Sequence, residues 1–353
     1  MGESGATFYS ENERAESLLV VEGLEVRFAL GRERFLTAVD RVSFELRQGE
    51  TLGLVGESGC GKSSLGRAVL QLIRPTAGKV LFLGKDLTKL SGSALRSMRR
   101  HMQVVFQDPR GSLNPRWKVR RIVEDPLRVH GLAPRRERGG LARAMLEQVG
   151  LEESYDNQYP ARLSGGQQQR VGIARALVTH PKFVVCDEPV SSLDVSIQAQ
   201  VINLLQDLKE RMGVTYLFIA HNLGVVRYLS DRVAVMYLGQ IVEMASSKQL
   251  FREPLHPYTK GLLVSVLRSD IGARAQLKAA ERFTSGDVPS LLNPPQGCRY
   301  HPRCPYVQER CREEKPLLEK VNGRPDQERW VACHYWQQIR TASKEVSTVQ
   351  AGE

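Results

Sequence analysis

Apolar and polar positions along the chain follow two patterns, one typical of strands and one typical of helices. Short β-branched runs broken by glycine and polar turns, at LLVVEGLEVRFAL and AVDRVSFELRQGETLGLVGE, predict strands. Continuous apolar runs at FVVCDE, YLFIA and RVAVMYLGQIVEM are typical of buried parallel strands. Helical segments such as SIQAQVINLLQDLKERM separate them, and GKSSLGRAVLQLI places Leu65, Val69 and Leu72 on one helix face. Alternating strands and helices predict a doubly wound α/β core.

The pattern changes twice along the chain. Between roughly Arg99 and Pro181 the strand pattern lapses, and helices joined by loops with Gly and Pro indicate a helical insertion in the core. After about Arg268 several prolines crowd together with cysteines, which predicts a separate, loop-rich module. These prolines are Pro289, Pro294, Pro295, Pro302 and Pro305.

Charge and composition narrow the protein class without deciding it. The net charge is +11, and residues 99–144 hold much of the excess, with 11 Arg and one Lys against four acids. A basic face suits nucleic acid, anionic lipid beside a membrane partner, or simply solvent. No apolar run approaches the ~20 residues that span a bilayer, and no N-terminal signal is visible. The sequence therefore predicts a cytoplasmic protein without disulfides.

A phosphate-binding loop is the clearest chemical signal. The strand TLGLV runs into GESGCGKSS, residues 56–64, which fits GxxxxGK[ST] with a helix after it. Its glycines let backbone N–H groups wrap phosphates, Lys62 supplies a cation to the β- and γ-phosphates, and Ser63 offers a hydroxyl to Mg²⁺. The alternative is a chance glycine-rich turn. Cys60 is either a packing residue or an oxidation-sensitive thiol, since a helix N-terminus lowers thiol pKa.

Two further motifs accompany this loop. FVVCDEP, residues 183–189, is an apolar strand that ends in paired acids, where α/β folds bind ligands. Asp187 is expected to hold Mg²⁺ through water, and Glu188 to orient or deprotonate the attacking water. LSGGQQQR, residues 163–170, is a second anion site at a helix start. One triphosphate needs only one such site, so the second requires an explanation.

The set GESGCGKSS, VVFQDP, LSGGQQQR, FVVCDE, SSLD and IAHN resembles the ATP-binding subunit of an ABC transporter over about residues 18–250. QDPRGSLNPR, EPLHPYTKGLL and VPSLLNPPQGCRYHPRCP are similar to the oligopeptide/dipeptide importer ATPases and extend the resemblance to about residue 336. The GCGKS and GSLNPR variants look most like the second of that family's paired ATPases. The family's head-to-tail dimer explains two anion sites, because each ATP lies between two chains.

The resemblance implies a P-loop NTPase fold of the ABC type with a helical subdomain. We expect a flexible N-terminus at 1–17, a nucleotide-binding domain at 18–266 with the helical subdomain at about 107–180, a C-terminal oligopeptide-transporter-type domain at 267–345, and a tail at 346–353.

The resemblance also implies the site residues. Glu188, His221 and Gln107 are expected to be catalytic, and Asp194 to communicate across the dimer. Phe28 is expected to stack on adenine, or else to be a core aromatic. The expected Mg²⁺ ligands are Ser63, Gln107 and Asp187. The expected contacts to the chain's own ATP are Phe28, Gly56, Ser58, Gly59, Cys60, Gly61, Lys62, Ser63 and Ser64, and those to the partner's ATP are Ser164, Gly165, Gly166 and Gln167.

The function implied is ATP hydrolysis that drives di- or oligopeptide uptake from the cytoplasmic face of the cell membrane. The implied partners are a second ABC ATPase subunit, two transmembrane permease subunits and an extracytoplasmic substrate-binding protein, with no nucleic acid. The basic helical segment then serves the membrane partner or anionic lipid. The alternatives are a soluble ABC ATPase acting on nucleic acid, a subunit of a phosphonate-lyase-type complex, and an importer of nickel or glutathione.

Four of the six cysteines lie near the C-terminus with the spacing C-x5-C-x6-C-x21-C: Cys298, Cys304, Cys311 and Cys333. Structural zinc sites usually include a tight C-x(2–4)-C pair, and this set has none. Iron–sulfur clusters accept less regular spacing. Members of the family are similar in carrying such a cluster here, so a 4Fe–4S cluster is expected ahead of zinc, with unliganded packing cysteines third.

Overall fold

The computed structural model describes residues 17–31, 34–267, 283, 289–321 and 328–341. Residues 1–16 of the expected N-terminal segment and the expected tail at 346–353 lie outside this part. The chain divides into two compact units. The first unit comprises residues 1–22, 43–52 and 66–220, and the second comprises residues 23–42, 53–65 and 221–353.

Twelve strands form among the described residues, mostly from β-branched and aromatic runs, as strand propensity favours. Three of them, β1 to β3, pass from one unit into the other along the chain. In chain order the strands are β1 Ser17–Ala29, β2 Phe35–Arg47, β3 Thr51–Val55, β4 Ala77–Phe82, β5 Lys85–Asp86, β6 Met102–Val105, β7 Phe183–Asp187, β8 Thr215–Ile219, β9 Arg232–Tyr237, β10 Gln240–Ser246, β11 Glu319–Lys320 and β12 Trp330–Val331.

Eleven α-helices are described, and none of the described helices is long and apolar enough to cross a membrane. They are α1 Lys62–Val69, α2 Gly92–Arg99, α3 Pro109–Ser112, α4 Val119–Val129, α5 Arg135–Gln148, α6 Gly165–Leu177, α7 Val195–Met212, α8 Leu223–Leu229, α9 Ser247–Arg252, α10 Pro257–Leu267 and α11 Glu309–Glu313. Helices α3 to α6 occupy the stretch in which the sequence predicted a helical insertion.

The first unit contains a parallel ribbon in the order β6–β7–β8. Its register pairs Val105 with Cys186 and Asp187 with Ile219. Strands β7 and β8 are buried along their whole length, which is why they read as continuous apolar runs. The carboxyl end of β7 therefore delivers its last residues to the edge where α/β proteins bind ligands.

The second unit contains an antiparallel ribbon in the order β9–β10–β12–β11. The β9–β10 turn is formed by Leu238 and Gly239, whose φ angles are +42° and +83°. Two consecutive positive φ angles match the twist of a hairpin. Strand β12 pairs through Trp330 and Val331 with Met244 and Glu243 of β10, so the C-terminal residues extend this ribbon.

Three expectations from the apolar pattern are wrong in detail. RVAVMYLGQIVEM is an antiparallel hairpin and not a buried parallel strand. The expected lapse of strands after Arg99 contains β6, a short strand. Leu72 does not share the buried face of α1, because that helix ends at Val69 and Leu72 is 48% exposed. Leu65 and Val69 are buried as expected.

Candidate functional site

The phosphate loop lies in the second unit, between β3 and α1. Gly61 has a φ of +107°, and a Cβ there would overlap the Ala38 carbonyl oxygen, so only glycine fits. Lys62, the first residue of α1, is 4% exposed. Its Nζ donates to the carbonyl oxygens of Gly56 and Glu57 at 2.9 Å each. The lysine is therefore folded back over the loop that it is expected to serve.

Two contacts from later in the chain support the same loop. The Glu57 N–H donates to the Tyr258 hydroxyl at 3.0 Å, and the Gly239 N–H donates to the Cys60 carbonyl at 2.8 Å. Sequence reasoning missed Tyr258, although it lies in the quoted EPLHPYTKGLL. Tyr258 is buried at the start of α10, and a buried hydroxyl needs a hydrogen-bond partner, but the sequence alone does not show this burial.

Cys60 differs from the expected oxidation-sensitive thiol. It is 3% exposed, and burial raises the pKa of its thiol despite the adjacent Lys62. Desolvation disfavours the thiolate more strongly than the neighbouring Lys62 favours it. The burial of Cys60 therefore favours the packing alternative.

The acid pair lies in the first unit, at the end of β7. Asp187 is 3% exposed, and its Oδ2 lies 3.6 Å from Nη2 of Arg67, a partner that no motif in the sequence indicates. Glu188 has a φ of +47°, which costs energy in a residue with a side chain and marks functional turns. Its Oε2 accepts a hydrogen bond from Nε2 of Gln107 at 3.1 Å. The structure thus brings together three of the expected site residues.

The second glycine-rich motif forms the start of α6 in the first unit. Ser164 caps this helix in a capping box: its Oγ accepts from the Gln167 N–H, and Gln167 Oε1 accepts from the Ser164 N–H. The N–H groups of Gly165 and Gly166 make no hydrogen bond to the described residues. They stand at the positive end of a 13-residue helix, where an anion is stabilised.

The other expected site residues fall on exposed or half-buried positions. Asp194 precedes α7 in the first unit and is exposed. His221 is exposed in the second unit, immediately before Asn222, which caps α8. Phe28 is half-buried near the end of β1. Ser58 and Gly59 are exposed at the tip of the loop, while Ser63 and Ser64 are half-buried in the first turn of α1.

The four C-terminal cysteines line one small cavity in the second unit, together with His256, Tyr300 and His301. All of the cysteines are free thiols. Burial raises the pKa of Cys298 to about 11, and those of Cys304 and Cys333 to about 12. Within the described ranges, no group of three or more His, Cys, Asp or Glu side chains is arranged to hold a metal ion.

A loop that binds phosphate, an acidic strand end and a further anion-binding helix start on a single chain are characteristic of ABC-type ATPases. Residues 39–191 match the family described as ABC transporter, and residues 242–311 match the oligopeptide/dipeptide transporter C-terminal region. The chain belongs to the ABC transporter ATP-binding proteins of the oligopeptide/dipeptide transporter family.

Curated relatives match most of the chain. The putative oligopeptide transport ATP-binding protein YkfD of Bacillus subtilis is 46% identical over 93% of this chain and 98% of its own length. The oligopeptide transport ATP-binding protein AppF of the same organism is 49% identical, over 85% of this chain and 89% of its own. A putative peptide import ATP-binding protein of Brucella ovis is 49% identical over 86% of this chain and 94% of its own.

Solved structures share the fold of the nucleotide-binding part. One is a dimeric ATP-binding cassette in a post-hydrolysis state, bound to ADP and Pi. Its sequence is 30% identical and its TM-score is 0.60, and the match covers 65% of this chain and 98% of the cassette. The cbiO1 subunit of an ABC transporter complex from Clostridium perfringens is 25% identical with a TM-score of 0.62 and covers 75% of this chain and 99% of its own.

Proposed function

We propose that this chain is the ATP-hydrolysing subunit that energises an ABC importer of di- or oligopeptides. The observation that carries the proposal is the Glu188 carboxylate at the end of a parallel strand, held by an unusual backbone conformation and by the Gln107 amide. A carboxylate oriented in this way can orient or deprotonate the water that attacks the γ-phosphate. Gln107 then links the presence of nucleotide to the position of this carboxylate.

Lys62 and three oxygen-bearing side chains complete the chemistry. ATP displaces the Gly56 and Glu57 carbonyls from Lys62, which then donates to the β- and γ-phosphates. Ser63, Gln107 and Asp187 offer hydroxyl, amide and carboxylate oxygens, the donor type that Mg²⁺ prefers. When bound, Mg²⁺ offsets the charge of the phosphates.

The start of α6 serves the ATP of a partner subunit. Ser164 and Gln167 are engaged in the capping box, whereas the N–H groups of Gly165 and Gly166 are available to a phosphate. This arrangement suits a head-to-tail dimer with a second ABC ATPase, and one similar cassette has been solved as a dimer. Asp194 communicates across that dimer and His221 contacts the γ-phosphate, as the family resemblance implies.

Peptide cargo is supported by the C-terminal region. Residues 242–311 match the oligopeptide/dipeptide transporter C-terminal region, and the curated relatives described above are named for oligopeptide or peptide transport. The full assembly then contains two permease subunits and an extracytoplasmic binding protein. This chain is bound to the permeases at the cytoplasmic face of the membrane, and nucleic acid is not a partner.

We also propose that the four cysteines hold a 4Fe–4S cluster, with a single zinc ion as the alternative. With Zn–S bonds of about 2.3 Å, a tetrahedral site brings its sulfur atoms to about 3.8 Å from one another. The described side chains form no such group, yet all four thiols line one cavity. A 4Fe–4S cluster would take all four thiolates as ligands, and the spacing of its ligands along a sequence is less regular than that of zinc sites. It would cross-link this region and offer one-electron exchange.

The cargo is tested with the assembled transporter. The chain is purified with its permeases, second ATPase and binding protein, and ATP turnover in liposomes is measured with unloaded and peptide-loaded binding protein. Stimulation by di- or oligopeptide is expected. Stimulation by nickel or glutathione alone would replace the proposed cargo, and turnover that no loaded binding protein changes would contradict the importer assignment.

The cluster is tested by protein purified without oxygen. We expect a brown protein that contains iron and acid-labile sulfide and loses both in Cys304→Ser. Cys60→Ser, which alters a cysteine outside the cavity, should keep its iron. Colourless protein that contains zinc would contradict the cluster.

A further inference from the structure

A buried arginine from the cysteine-containing segment pairs with the phosphate loop within the second unit. Nη1 of Arg303 donates to both carboxylate oxygens of Glu57, at 3.1 Å each. The Arg303 side chain is 6% exposed and that of Glu57 is 26% exposed. Desolvating a guanidinium is costly unless an anion lies beside it, so the arginine fixes the position of its partner.

Glu57 is held through all of its polar groups. Arg303 binds its carboxylate, the Tyr258 hydroxyl accepts its N–H, and Lys62 donates to its carbonyl. All three partners are buried. The residue that begins the phosphate-binding turn is therefore fixed by two side chains from about 200 residues or more further along the chain, and by the lysine that ATP recruits.

Arg303 is itself positioned by a cluster of three tyrosines, Tyr237, Tyr258 and Tyr300. Its guanidinium lies 6.0 Å from the centroid of the Tyr300 ring. The Tyr300 ring meets Tyr237 edge-on at 5.3 Å and Tyr258 at 5.5 Å. Because Tyr258 also accepts the Glu57 N–H, the tyrosine cluster contacts both members of the ion pair, Arg303 through Tyr300 and Glu57 through Tyr258.

Short-range hydrogen bonds connect the backbone from Cys298 to Cys304, the segment that contains this arginine. The Cys298 carbonyl accepts the His301 N–H at 2.9 Å, and the Tyr300 carbonyl accepts the Arg303 N–H at 3.0 Å. The Cys298 N–H donates to the Cys311 carbonyl at 2.8 Å. The arginine and two of the cysteines that line the cavity thus belong to one hydrogen-bonded backbone segment.

The charge of Glu57 explains why the ion pair with Arg303 matters for ATP binding. Glu57 places a carboxylate in a loop that must bind a triphosphate, and an uncompensated negative charge there would repel ATP. We propose that Arg303 is a positioning residue of the nucleotide site: it neutralises Glu57 and holds the phosphate loop in the conformation that accepts ATP. This inference rests on the proposed function of the loop in ATP binding.

The test measures ATP affinity of the full chain by titration calorimetry, without hydrolysis, for Arg303→Gln, Arg303→Lys, Glu57→Gln and the double variant Glu57→Gln/Arg303→Gln. The matched control is Arg310→Gln, since Arg310 pairs with Glu314 in the same region but is exposed. Thermal unfolding without nucleotide is recorded for each variant.

Arg303→Gln should raise the Kd for ATP about tenfold, the scale of one lost charge-assisted hydrogen bond. Arg303→Lys keeps the charge and should stay within about threefold of wild type. Adding Glu57→Gln to Arg303→Gln should recover most of the lost affinity, because it removes the repelling charge. A purely structural arginine would lower thermal stability without this recovery. Arg310→Gln should match wild type.

An unchanged Kd in Arg303→Gln, or no recovery in the double variant, would overturn the proposal. If Arg303→Gln does not fold, amide hydrogen exchange of the wild-type chain decides: ATP should slow exchange in residues 298–304 but not in residues 309–314. Equal rates with and without ATP in residues 298–304 would also overturn it. Failure of the wild-type chain to bind ATP at all would instead contradict the proposed function.

Discussion

A deeply buried ion pair of the second unit offers a quantitative test of how the C-terminal strand is held. Glu243 of β10 has a side chain with 0% exposure. Its carboxylate accepts three hydrogen bonds at 2.9 Å each, from the N–H groups of Leu255 and His256 and from Nη2 of Arg329. Arg329 directly precedes β12, so the pair joins β10, the two residues before α10 and the C-terminal strand.

Arg329→Met removes the cation while keeping most of the side-chain volume. The buried carboxylate keeps two backbone donors but loses the cation that is hydrogen-bonded to it, which costs about 3–5 kcal/mol of unfolding free energy. The double variant Glu243→Gln/Arg329→Met removes the stranded charge as well. Because the two residues share one network, its cost should fall below the sum of the single variants by about 2 kcal/mol.

Urea unfolding followed by tryptophan fluorescence is the assay, since Trp330 lies in β12 beside this pair. Arg310→Met, which breaks the exposed pair with Glu314, is the control and should cost less than about 1 kcal/mol. An Arg329→Met variant no less stable than this control would refute the reasoning. A loss of unfolding free energy in the double variant equal to the sum of the losses in the two single variants would also refute it.

Three further predictions concern burial and close packing. Burial lowers the pKa of His256 to about 3, so its ring stays neutral in the folded chain while the unfolded ring protonates below about pH 6.5. Stability should therefore fall by about 1.4 kcal/mol per pH unit from pH 6.5 towards 3, and urea titrations at pH 7.5 and 5.5 should show a smaller difference in His256→Gln. Gly61→Ala should abolish ATP binding in calorimetry, because the methyl group would overlap the Ala38 carbonyl; ATP binding like that of wild type would contradict it. In Gly166→Ala, a Cβ 2.6 Å from Ile197 Cγ2 should displace the start of α6 and lower ATP turnover at least tenfold in the assembled transporter while leaving the ATP affinity of the single chain unchanged; undiminished turnover would argue against a role for this helix start.

Local motifs could be predicted from the sequence because local geometry determines them. The phosphate loop needs glycine where φ is positive, and Gly61 meets that need. The acidic pair follows a strand whose uniform burial produces an uninterrupted apolar run. The capping box of Ser164 and Gln167 joins residues three apart, so it too is visible in the sequence.

Strand direction could not be predicted in the same way. Every residue of β9 and most of β10 are buried, so the alternation that would have marked two strands is absent. Only the Leu238–Gly239 turn distinguishes a hairpin from one long run, and a lone glycine is a weak signal.

Long-range ion pairs leave even less trace in the sequence. Glu57 and Arg303 lie 246 positions apart, and no local pattern connects them. Glu243 was a visible anomaly, a single acid in an apolar run, and such a residue requires a buried partner. The sequence does not show that this partner is Arg329, because tertiary folding alone brings the two together.

The central claim is that Glu188 drives ATP hydrolysis on this chain. The most direct measurement compares phosphate release by the assembled, peptide-stimulated transporter with Glu188→Gln, with wild-type chain and with Glu210→Gln, an exposed carboxylate on α7. Glu188→Gln should bind ATP with an affinity within about threefold of wild type and turn it over about 10²–10⁴-fold more slowly, the usual contribution of a general base. Near-normal turnover by Glu188→Gln in that complex would contradict the account.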